Sequence, residues 1–142
     1  MKTIIVTGGM GFIGSHTCLA LLKSNYKVII IDSLINSSLK TLENLKIIIK
    51  NEFPNIEDRL RFFKADITNI VQLDKVFKKI LDIDKTISAV IHFAGLKSVS
   101  ESISDPLKYW DTNISGSINL FKIMDKYNCN VIIFSSSATI YS

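Results

Sequence analysis

Cysteine and histidine are both scarce in this chain, and neither is spaced as a metal site or a disulfide framework requires. Cys18 and Cys129 lie far apart and outside any CxxC or histidine-rich motif. His16 and His92 have no partner at ligand spacing, so we expect structural histidines and no metal site. The two cysteines are typical of reduced thiols in the cytoplasm.

Clusters of basic charge and long apolar runs are also absent. Lys78 and Lys79 form the only adjacent basic pair behind a net charge of +4, which argues against a nucleic-acid or membrane-surface partner. The apolar runs at 28–31 and 47–49 are too short to span a bilayer. A Thr-Gly-Gly turn at 7–9 interrupts the N-terminal run before it can form a signal peptide, so a soluble cytoplasmic protein is expected.

The composition fits one compact domain over residues 1–142, since 47% of the residues are hydrophobic and 21% are charged. Short β-branched runs alternate with segments of helical period, which is typical of a parallel sheet with crossover helices. Right-handed crossovers favour an α/β doubly wound (Rossmann) sheet in the order 3-2-1-4-5, with a ligand crevice between strands 1 and 4. The predicted strands span 3–6, 27–31, 60–64, 89–93 and 130–134, and the predicted helices span 12–24, 39–52, 69–81 and 106–127.

Apolar spacing also predicts the buried face of each helix. In the first helix, the residues expected to stack inward are Ile13, Thr17, Cys18, Leu21 and Leu22. The next two helices are expected to bury Leu42, Leu45 and Ile49, and then Val76, Phe77 and Ile80. Pro54 is expected to help end the second helix, and the predicted N-caps of the last two are Thr68 or Asn69, and Asp105 followed by Pro106.

A glycine-rich turn joins the first strand to the first helix. The segment Val-Thr-Gly-Gly-Met-Gly-Phe-Ile-Gly at 6–14 satisfies both Gly9-x-Gly11-x-x-Gly14 and Gly8-x-x-Gly11-x-x-Gly14. An early glycine permits the tight turn, Gly11 lets the backbone approach a pyrophosphate, and Gly14 lets helix and strand pack closely. Free N–H groups and the helix dipole then meet the phosphate. Because the motif follows a strand and opens a helix, it predicts dinucleotide binding rather than a purely structural turn.

Two acidic residues follow the next two strands. Asp32 lies eighteen positions after Gly14, where its carboxylate can accept both hydroxyls of an adenine ribose and repel a 2′-phosphate. NAD is therefore favoured over NADP, although Asp32 could also cap the loop that follows it. Asp66 could reach the adenine amino group while Ile67 covers the ring, and a role within the turn would satisfy Asp66 as well.

The later segments carry a resemblance. They are His-Phe-Ala-Gly-Leu-Lys-Ser-Val at 92–99, Glu-Ser at 101–102, Pro-Leu at 106–107, Tyr109, and Phe-Ser-Ser-Ser-Ala-Thr-Ile-Tyr at 134–141. Together with residues 7–18, these segments resemble the UDP-glucose 4-epimerase family of extended short-chain dehydrogenases/reductases over essentially the whole chain. Ala-Gly-Leu-Lys at 94–97 and the triple serine at 135–137 are its narrower marks.

The resemblance implies an isomerase in which bound NAD⁺ takes hydride from C4 of the sugar of a UDP-hexose and returns it to the other face, interconverting UDP-glucose and UDP-galactose. It implies that Ser137 is catalytic, because the matching serine hydrogen-bonds the reacting hydroxyl and assists its proton transfer. The cofactor-binding positions that the turn, the acids and the resemblance indicate are Gly8, Gly11, Phe12, Ile13, Gly14, Asp32, Ser33, Leu34, Ile35, Asn36, Ser37, Asp66, Ile67, Phe93, Ala94, Gly95, Lys97, Thr112 and Asn113.

The sequence also departs from that family. The family's general base is the tyrosine of a Tyr-x-x-x-Lys motif. Residues 1–142 do not contain this motif. Thr112 stands where asparagine is often found and Ser117 where threonine is usual. We therefore expect residues 1–142 to be the NAD-binding part of a longer protein, inactive alone, with the C-terminal remainder of the fold and the UDP-sugar-binding part outside them.

Three further expectations concern partners and alternatives. The segment at 106–127 resembles a helix that joins a homodimer interface in the family. The apolar segment at 131–134, if it ends the sheet, leaves an unpaired edge that should make the isolated chain aggregate or stay partly unfolded. Two other functions remain open, namely another NAD-dependent nucleotide-sugar epimerase or dehydratase and a non-catalytic NAD-binding module.

Overall fold

Five parallel strands form a single sheet in the order β3-β2-β1-β4-β5. The structure is a computed structural model that describes residues 1–50, 52–53 and 55–136. Its strands are β1 (Thr3–Thr7), β2 (Lys27–Asp32), β3 (Leu60–Lys64), β4 (Ala89–His92) and β5 (Ile132–Phe134). Its helices are α1 (Phe12–Lys23), α2 (Leu39–Lys50), α3 (Ile56–Arg59), α4 (Ile70–Asp84), α5 (Val99–Ser104), α6 (Pro106–Trp110) and α7 (Gly116–Lys126), with a π-helical segment (Asp111–Ser115) between the last two. The predicted fold class and strand order are confirmed.

The sheet is covered on both faces because its central strands alternate two sets of apolar side chains. Ile5, Ile29 and Val90 pack with α4 and α7 on one face. Val6 and Ile30 pack with α1 and α2 on the other face. The continuous Val/Ile runs of the sequence are therefore buried from both sides, as is usual in a parallel sheet.

The buried face of α1 differs from the prediction. Gly14, Cys18 and Leu22 are its buried residues, whereas Ile13 is 59% exposed and lies beside the glycine turn. Gly14 permits the closest approach between helix and sheet, so the buried stripe runs through Gly14 at a spacing of four. Thr17 and Leu21 lie at the margin of this stripe and are partly buried.

The other helical predictions hold with small changes. Asn69 caps α4 by accepting a hydrogen bond from the Gln72 amide, and Asp105 caps α6 by accepting one from the Lys108 amide. The single helix predicted at 106–127 is α6, the π segment and α7. The inward residues predicted for α4 are buried, as are two of the three predicted for α2, whereas Leu42 is partly buried. Pro54 lies outside the described residues.

Two short helices, α3 and α5, escaped prediction because four and six residues are too few to show a helical period. At the other end of the sequence, β5 begins at 132 rather than 130, and its side chains at 132–134 are exposed. In the described part of the chain, β5 pairs only with β4. No helix among those described is long and apolar enough to cross a membrane.

A buried ion-pair cluster lies at the opposite end of the sheet from the glycine turn. The Asp84 side chain is only 1% exposed, at the end of α4. It contacts Lys27 Nζ at 3.0 Å and Arg61 Nη2 at 2.8 Å. This cluster ties the start of β2 and the start of β3 to α4, far from the predicted crevice.

Candidate cofactor site

The strand order reverses between β1 and β4, and the loops that follow these two strands meet there. Gly8 has a φ of +67°, which L-residues with side chains rarely adopt. A Cβ on Gly8 would lie 2.7 Å from the Ala94 backbone nitrogen. Gly8 is therefore required by the turn and by its close contact with the loop after β4.

Gly14 and Gly11 differ in how much space the fold leaves for a side chain. A Cβ on Gly14 would overlap the Gly8 carbonyl oxygen, so helix packing excludes a side chain there. Gly11 has a φ of −73°, and a Cβ on it would meet one atom, the Gly8 carbonyl oxygen at 3.4 Å. Since neither the backbone nor the surrounding protein requires glycine at position 11, the open space beside Gly11 is suited to a ligand that approaches the main chain.

The first turn of α1 faces this space. Gly11 is the N-cap residue, and no side chain among the described residues caps the amides that follow it. Such amides and the positive end of a helix dipole are suited to an anion. Phe12 is 82% exposed beside them, and Ile13 is exposed as well.

Asp32 borders the same turn. Its buried carboxylate accepts a hydrogen bond from the Met10 amide at 3.0 Å through Oδ2. Through Oδ1 it accepts from the Leu34 amide at 2.9 Å and from the Ser37 hydroxyl at 2.8 Å. The structure therefore brings Asp32 beside the glycine turn, and it also shows Asp32 capping the loop at 33–37.

Within that loop the predicted residues have different surroundings. Leu34 packs against the apolar cluster beneath α1 and α2, and its φ is +62°. Ile35 and Asn36 are exposed, while Ser33 and Ser37 are partly buried. The exposed residues and the Ser37 hydroxyl are the groups that can face a nucleotide.

In the turn after β3, the side chains of Asp66 and Ile67 have different surroundings. Asp66 is partly buried, and its Oδ1 accepts from the Thr68 amide and hydroxyl at 2.9 and 2.8 Å. Ile67 is buried in the core, where its side chain packs beside Gly116. Asp66 therefore has a turn role, and only the backbone of Ile67 can contribute to a cofactor site.

The loop after β4 is held by the π segment. Asn113 donates from Nδ2 to the Leu96 carbonyl at 3.0 Å, and its Oδ1 accepts from the Leu96 amide at 2.7 Å. Its side chain is thus engaged with the loop from both ends. Residues 93–95 are partly buried, Lys97 is exposed, and Thr112 is partly buried in the π segment. π-helical turns often mark functional sites in longer helices.

A buried hydrogen-bond chain lies beneath both loops. His92 Nδ1 lies 2.6 Å from Thr7 Oγ1, and His92 Nε2 lies 2.9 Å from Ser117 Oγ. Burial, with a smaller contribution from the positive charge of Lys97, lowers the pKa of His92 from 6.5 to about 4. The expectation of a packed, hydrogen-bonded His92 is confirmed. The sequence carries no sign of its two partners, because they belong to segments with no common spacing.

Within residues 1–50, 52–53 and 55–136, the remaining reactive groups do not form a second centre. Burial raises the pKa of the Cys18 thiol to about 12 and also raises the pKa of the Cys129 thiol, so both are neutral thiols at pH 7. Among the residues that the structure describes, no group of three His, Cys, Asp or Glu side chains could hold a metal. Ser137, the predicted catalytic residue, lies outside them.

A cleft of about 310 Å³ lies on the outer side of α1, between α1 and α2. It shares residues 10–12 with the glycine turn, but its other lining residues, such as Asn44 and Ile48, are on the helices. Neither Asp32 nor the loop after β4 lines it. This cleft is therefore distinct from the crevice between the carboxyl ends of β1 and β4.

The sheet order, the glycine turn and the acidic end of β2 together define a Rossmann-type domain. Residues 5–141 match the sequence model of the family described as GDP-mannose 4,6 dehydratase, and the chain belongs to that family. UDP-glucose 4-epimerase of Neisseria meningitidis serogroup A is 47% identical over 141 residues. The alignment covers 99% of this chain and 38% of that protein.

Solved epimerases are similar in three dimensions as well. The UDP-glucose-4-epimerase of Stenotrophomonas maltophila, with bound NAD and formylated UDP-arabinopyranose, has a TM-score of 0.84 and 39% identity, covering 100% of this chain and 39% of its own. That of Bifidobacterium longum, in complex with NAD⁺ and UDP, has a TM-score of 0.84 and 39% identity, covering 99% of this chain and 38% of its own. The resemblance to UDP-glucose 4-epimerases is confirmed, and the chain spans between a third and two-fifths of these proteins' length.

Proposed function

We propose that this protein is an NAD-dependent UDP-glucose 4-epimerase, which interconverts UDP-glucose and UDP-galactose, and that residues 1–142 form its NAD-binding part. The observation that carries the proposal is the open space at Gly11, in a turn that leaves the first amides of α1 uncapped and whose Met10 amide donates to the Asp32 carboxylate. The likeness to epimerases that bind NAD and UDP compounds supports it.

The glycine turn would hold the pyrophosphate through main-chain amides, so no basic side chain is needed. Asp32 would hold the adenine ribose. A carboxylate offers about four lone-pair sites, and three hydrogen bonds already occupy Asp32. One ribose hydroxyl can take the remaining site on Oδ2, and a second can replace the Ser37 hydroxyl on Oδ1. The same negative charge disfavours a 2′-phosphate, so NAD is preferred over NADP.

The other predicted positions would complete the site around this anchor. We assign direct contact to Ile35, Asn36 and the Ser37 hydroxyl, and main-chain contact to Ser33 and Leu34. We also assign direct contact to Asp66, to the Ile67 backbone and to the loop at 93–97. We assign support of that loop to Asn113, with Thr112 beside it. When bound, NAD would supply a reversible hydride acceptor for the sugar. Ser137 would hydrogen-bond the reacting hydroxyl, as its place in the triple serine suggests.

We further propose that the protein is a cytoplasmic homodimer. Exposed apolar side chains follow the helix from α6 to α7 at spacings of three and four, so they form one stripe: Leu107, Trp110, Ile114, Ile118 and Phe121. A contiguous apolar stripe of this kind is typical of a surface that packs against another protein surface. The two free, buried cysteines support a reducing compartment.

The test is product analysis with the full-length protein. UDP-galactose is incubated with the protein and NAD, and the products are followed by NMR. We expect UDP-glucose to form until the two sugars reach equilibrium, with no change in mass. In a binding titration, the protein should have a lower affinity for NADP than for NAD. Conversion of neither UDP-hexose would contradict the epimerase proposal.

The family match gives a second candidate, a nucleotide-sugar dehydratase. A dehydratase would release water and leave a lighter, keto-containing product, which the same spectra distinguish from an epimer. The Ala-Gly-Leu-Lys segment at 94–97 favours the epimerase. NAD binding without turnover of any nucleotide sugar would instead indicate the non-catalytic module.

A further inference from the structure

One hydrogen-bond chain connects the three segments that surround the candidate cofactor site. It starts at Ala94, whose amide donates to Thr7 Oγ1 at 3.3 Å, and continues through His92 to Ser117. Ser117 then donates to the Asn113 carbonyl at 2.6 Å. The chain thus begins in the loop after β4, passes the residue that precedes the glycine turn, and ends in the π segment.

The direction of every hydrogen bond in this chain follows from one hydroxyl. Ser117 has a single hydroxyl hydrogen, which it donates to the Asn113 carbonyl, so its oxygen must accept from His92 Nε2–H. A neutral imidazole carries one N–H, and His92 Nδ1 is therefore an acceptor. Thr7 donates to Nδ1 and accepts from the Ala94 amide. One tautomer of His92 satisfies all the groups at once.

We propose that His92, as the neutral Nε2–H tautomer, is a positioning residue that holds the glycine turn, the loop after β4 and the π segment in the arrangement that binds NAD. The proposal rests on the proposed NAD site. His92 itself is only 2% exposed and would not touch the cofactor. It would act through Thr7, which precedes Gly8 of the glycine turn. It would also act through Ser117, which bonds to Asn113, the residue that holds Leu96.

Burial makes this hydrogen-bond chain important for the geometry of the site. Thr7, His92 and Ser117 are all buried, so water cannot replace a partner that is lost. Asn113 is tied to Ser117 through its carbonyl and to Leu96 through its side chain. A break at Ser117 would therefore loosen the π segment and the loop after β4 together. Desolvation also disfavours the charged imidazole, which agrees with a neutral His92 at pH 7.

The test compares hydroxyl-deleting and hydroxyl-retaining substitutions in the full-length protein. Ser117→Ala leaves His92 Nε2–H and the Asn113 carbonyl without their partner, and we expect the Kd for NAD to rise about tenfold, equivalent to about 1.4 kcal/mol. Ser117→Thr keeps the hydroxyl and should restore the wild-type Kd. Thr3→Val is the matched control, because Thr3 is buried at the opposite end of β1. It removes a buried hydroxyl remote from the site and should leave the Kd unchanged.

Wild-type NAD affinity in Ser117→Ala, measured well below its melting temperature, would overturn the positioning role, and so would failure of Ser117→Thr to restore binding. The tautomer is read directly by ¹⁵N NMR, in which His92 should carry its proton on Nε2. His92→Gln, whose amide can still donate to Ser117, identifies the resonances. A proton on Nδ1 would refute the proposed chain.

A wild-type protein with no affinity for NAD would instead refute the proposed function. The amide shifts of Ala94 and Leu96 then decide the positioning role, because they report the loop geometry without a ligand. A change of both shifts in Ser117→Ala, reversed in Ser117→Thr, would support the role. Unchanged shifts in Ser117→Ala would overturn it.

Discussion

Replacing Gly11 by alanine separates a glycine that serves binding from glycines that serve the fold. The new methyl group would meet one protein atom, at 3.4 Å, on a backbone whose φ of −73° alanine adopts freely. Gly14→Ala is the contrasting variant, since its methyl group would overlap the Gly8 backbone. Both positions belong to the same turn, yet the structure predicts opposite consequences for them.

The stability change at Gly11 is a small difference between two opposing effects. Alanine restricts the unfolded chain, which stabilises by about 0.4–1 kcal/mol, but it is a poorer N-cap than glycine by about 1 kcal/mol. The net change should lie within about 1 kcal/mol. In the complex, the methyl group would enter space needed by the pyrophosphate, and overpacking of this kind costs about 1–3 kcal/mol, or roughly 5- to 150-fold in Kd.

Two measurements on the full-length protein check this reasoning. Thermal or denaturant unfolding should show Gly11→Ala close to the wild type and Gly14→Ala destabilised by about 3 kcal/mol or more, since backbone atoms yield little. Calorimetric titration should show weak NAD binding by Gly11→Ala. Wild-type affinity in that variant would refute the view that the space beside Gly11 receives the cofactor, and so would a fold that tolerates Gly14→Ala better.

Three further predictions test other parts of the molecule. Asp32→Asn removes the charge that opposes a 2′-phosphate, so the preference for NAD over NADP should fall at least about tenfold in paired titrations; an unchanged ratio would contradict the assignment. Asp84→Asn should lower the free energy of unfolding by about 2–3 kcal/mol, less than for a fully buried pair because Arg61 keeps partial solvent contact, and should leave NAD binding unaltered. Because the pKa of His92 is lowered from 6.5 to about 4, the unfolded chain binds a proton within that interval that the folded chain does not. Stability should therefore fall as the pH drops from 6.5 to 4, by up to about 3 kcal/mol, and denaturant titrations of His92→Gln should lack this component.

The strands and most helices were predictable because each depends on local spacing. Continuous Val/Ile runs mark strands covered on both faces, and Asn69 and Asp105 mark helix starts through their own side chains. The inward face of α1 was harder to predict. Ile13 is apolar and correctly spaced, but close packing at Gly14 rotates the buried stripe away from it, and a residue without a side chain gives no apolar signal.

Within the candidate site, the main-chain elements were predictable and their supports were not. Gly11 and Asp32 occupy motif positions, and in the structure the Met10 amide, next to Gly11, donates to Asp32. The sequence predicts Asn113 as a cofactor-binding position, and the structure adds that its side chain holds Leu96. That role depends on a contact across the crevice, between residues seventeen positions apart in the sequence, and no local pattern encodes such a contact.

The hydrogen-bond chain explains why the substitution at position 117 is compatible with the site. The network requires one hydroxyl that donates to the Asn113 carbonyl and accepts from His92, and serine and threonine both supply it. The methyl group of threonine adds packing but no hydrogen bond. What this position must retain is a hydroxyl, because its loss would leave the buried His92 Nε2–H unpaired, which costs about 1–3 kcal/mol. The same argument predicts that Thr7 tolerates serine better than valine, although valine matches its shape.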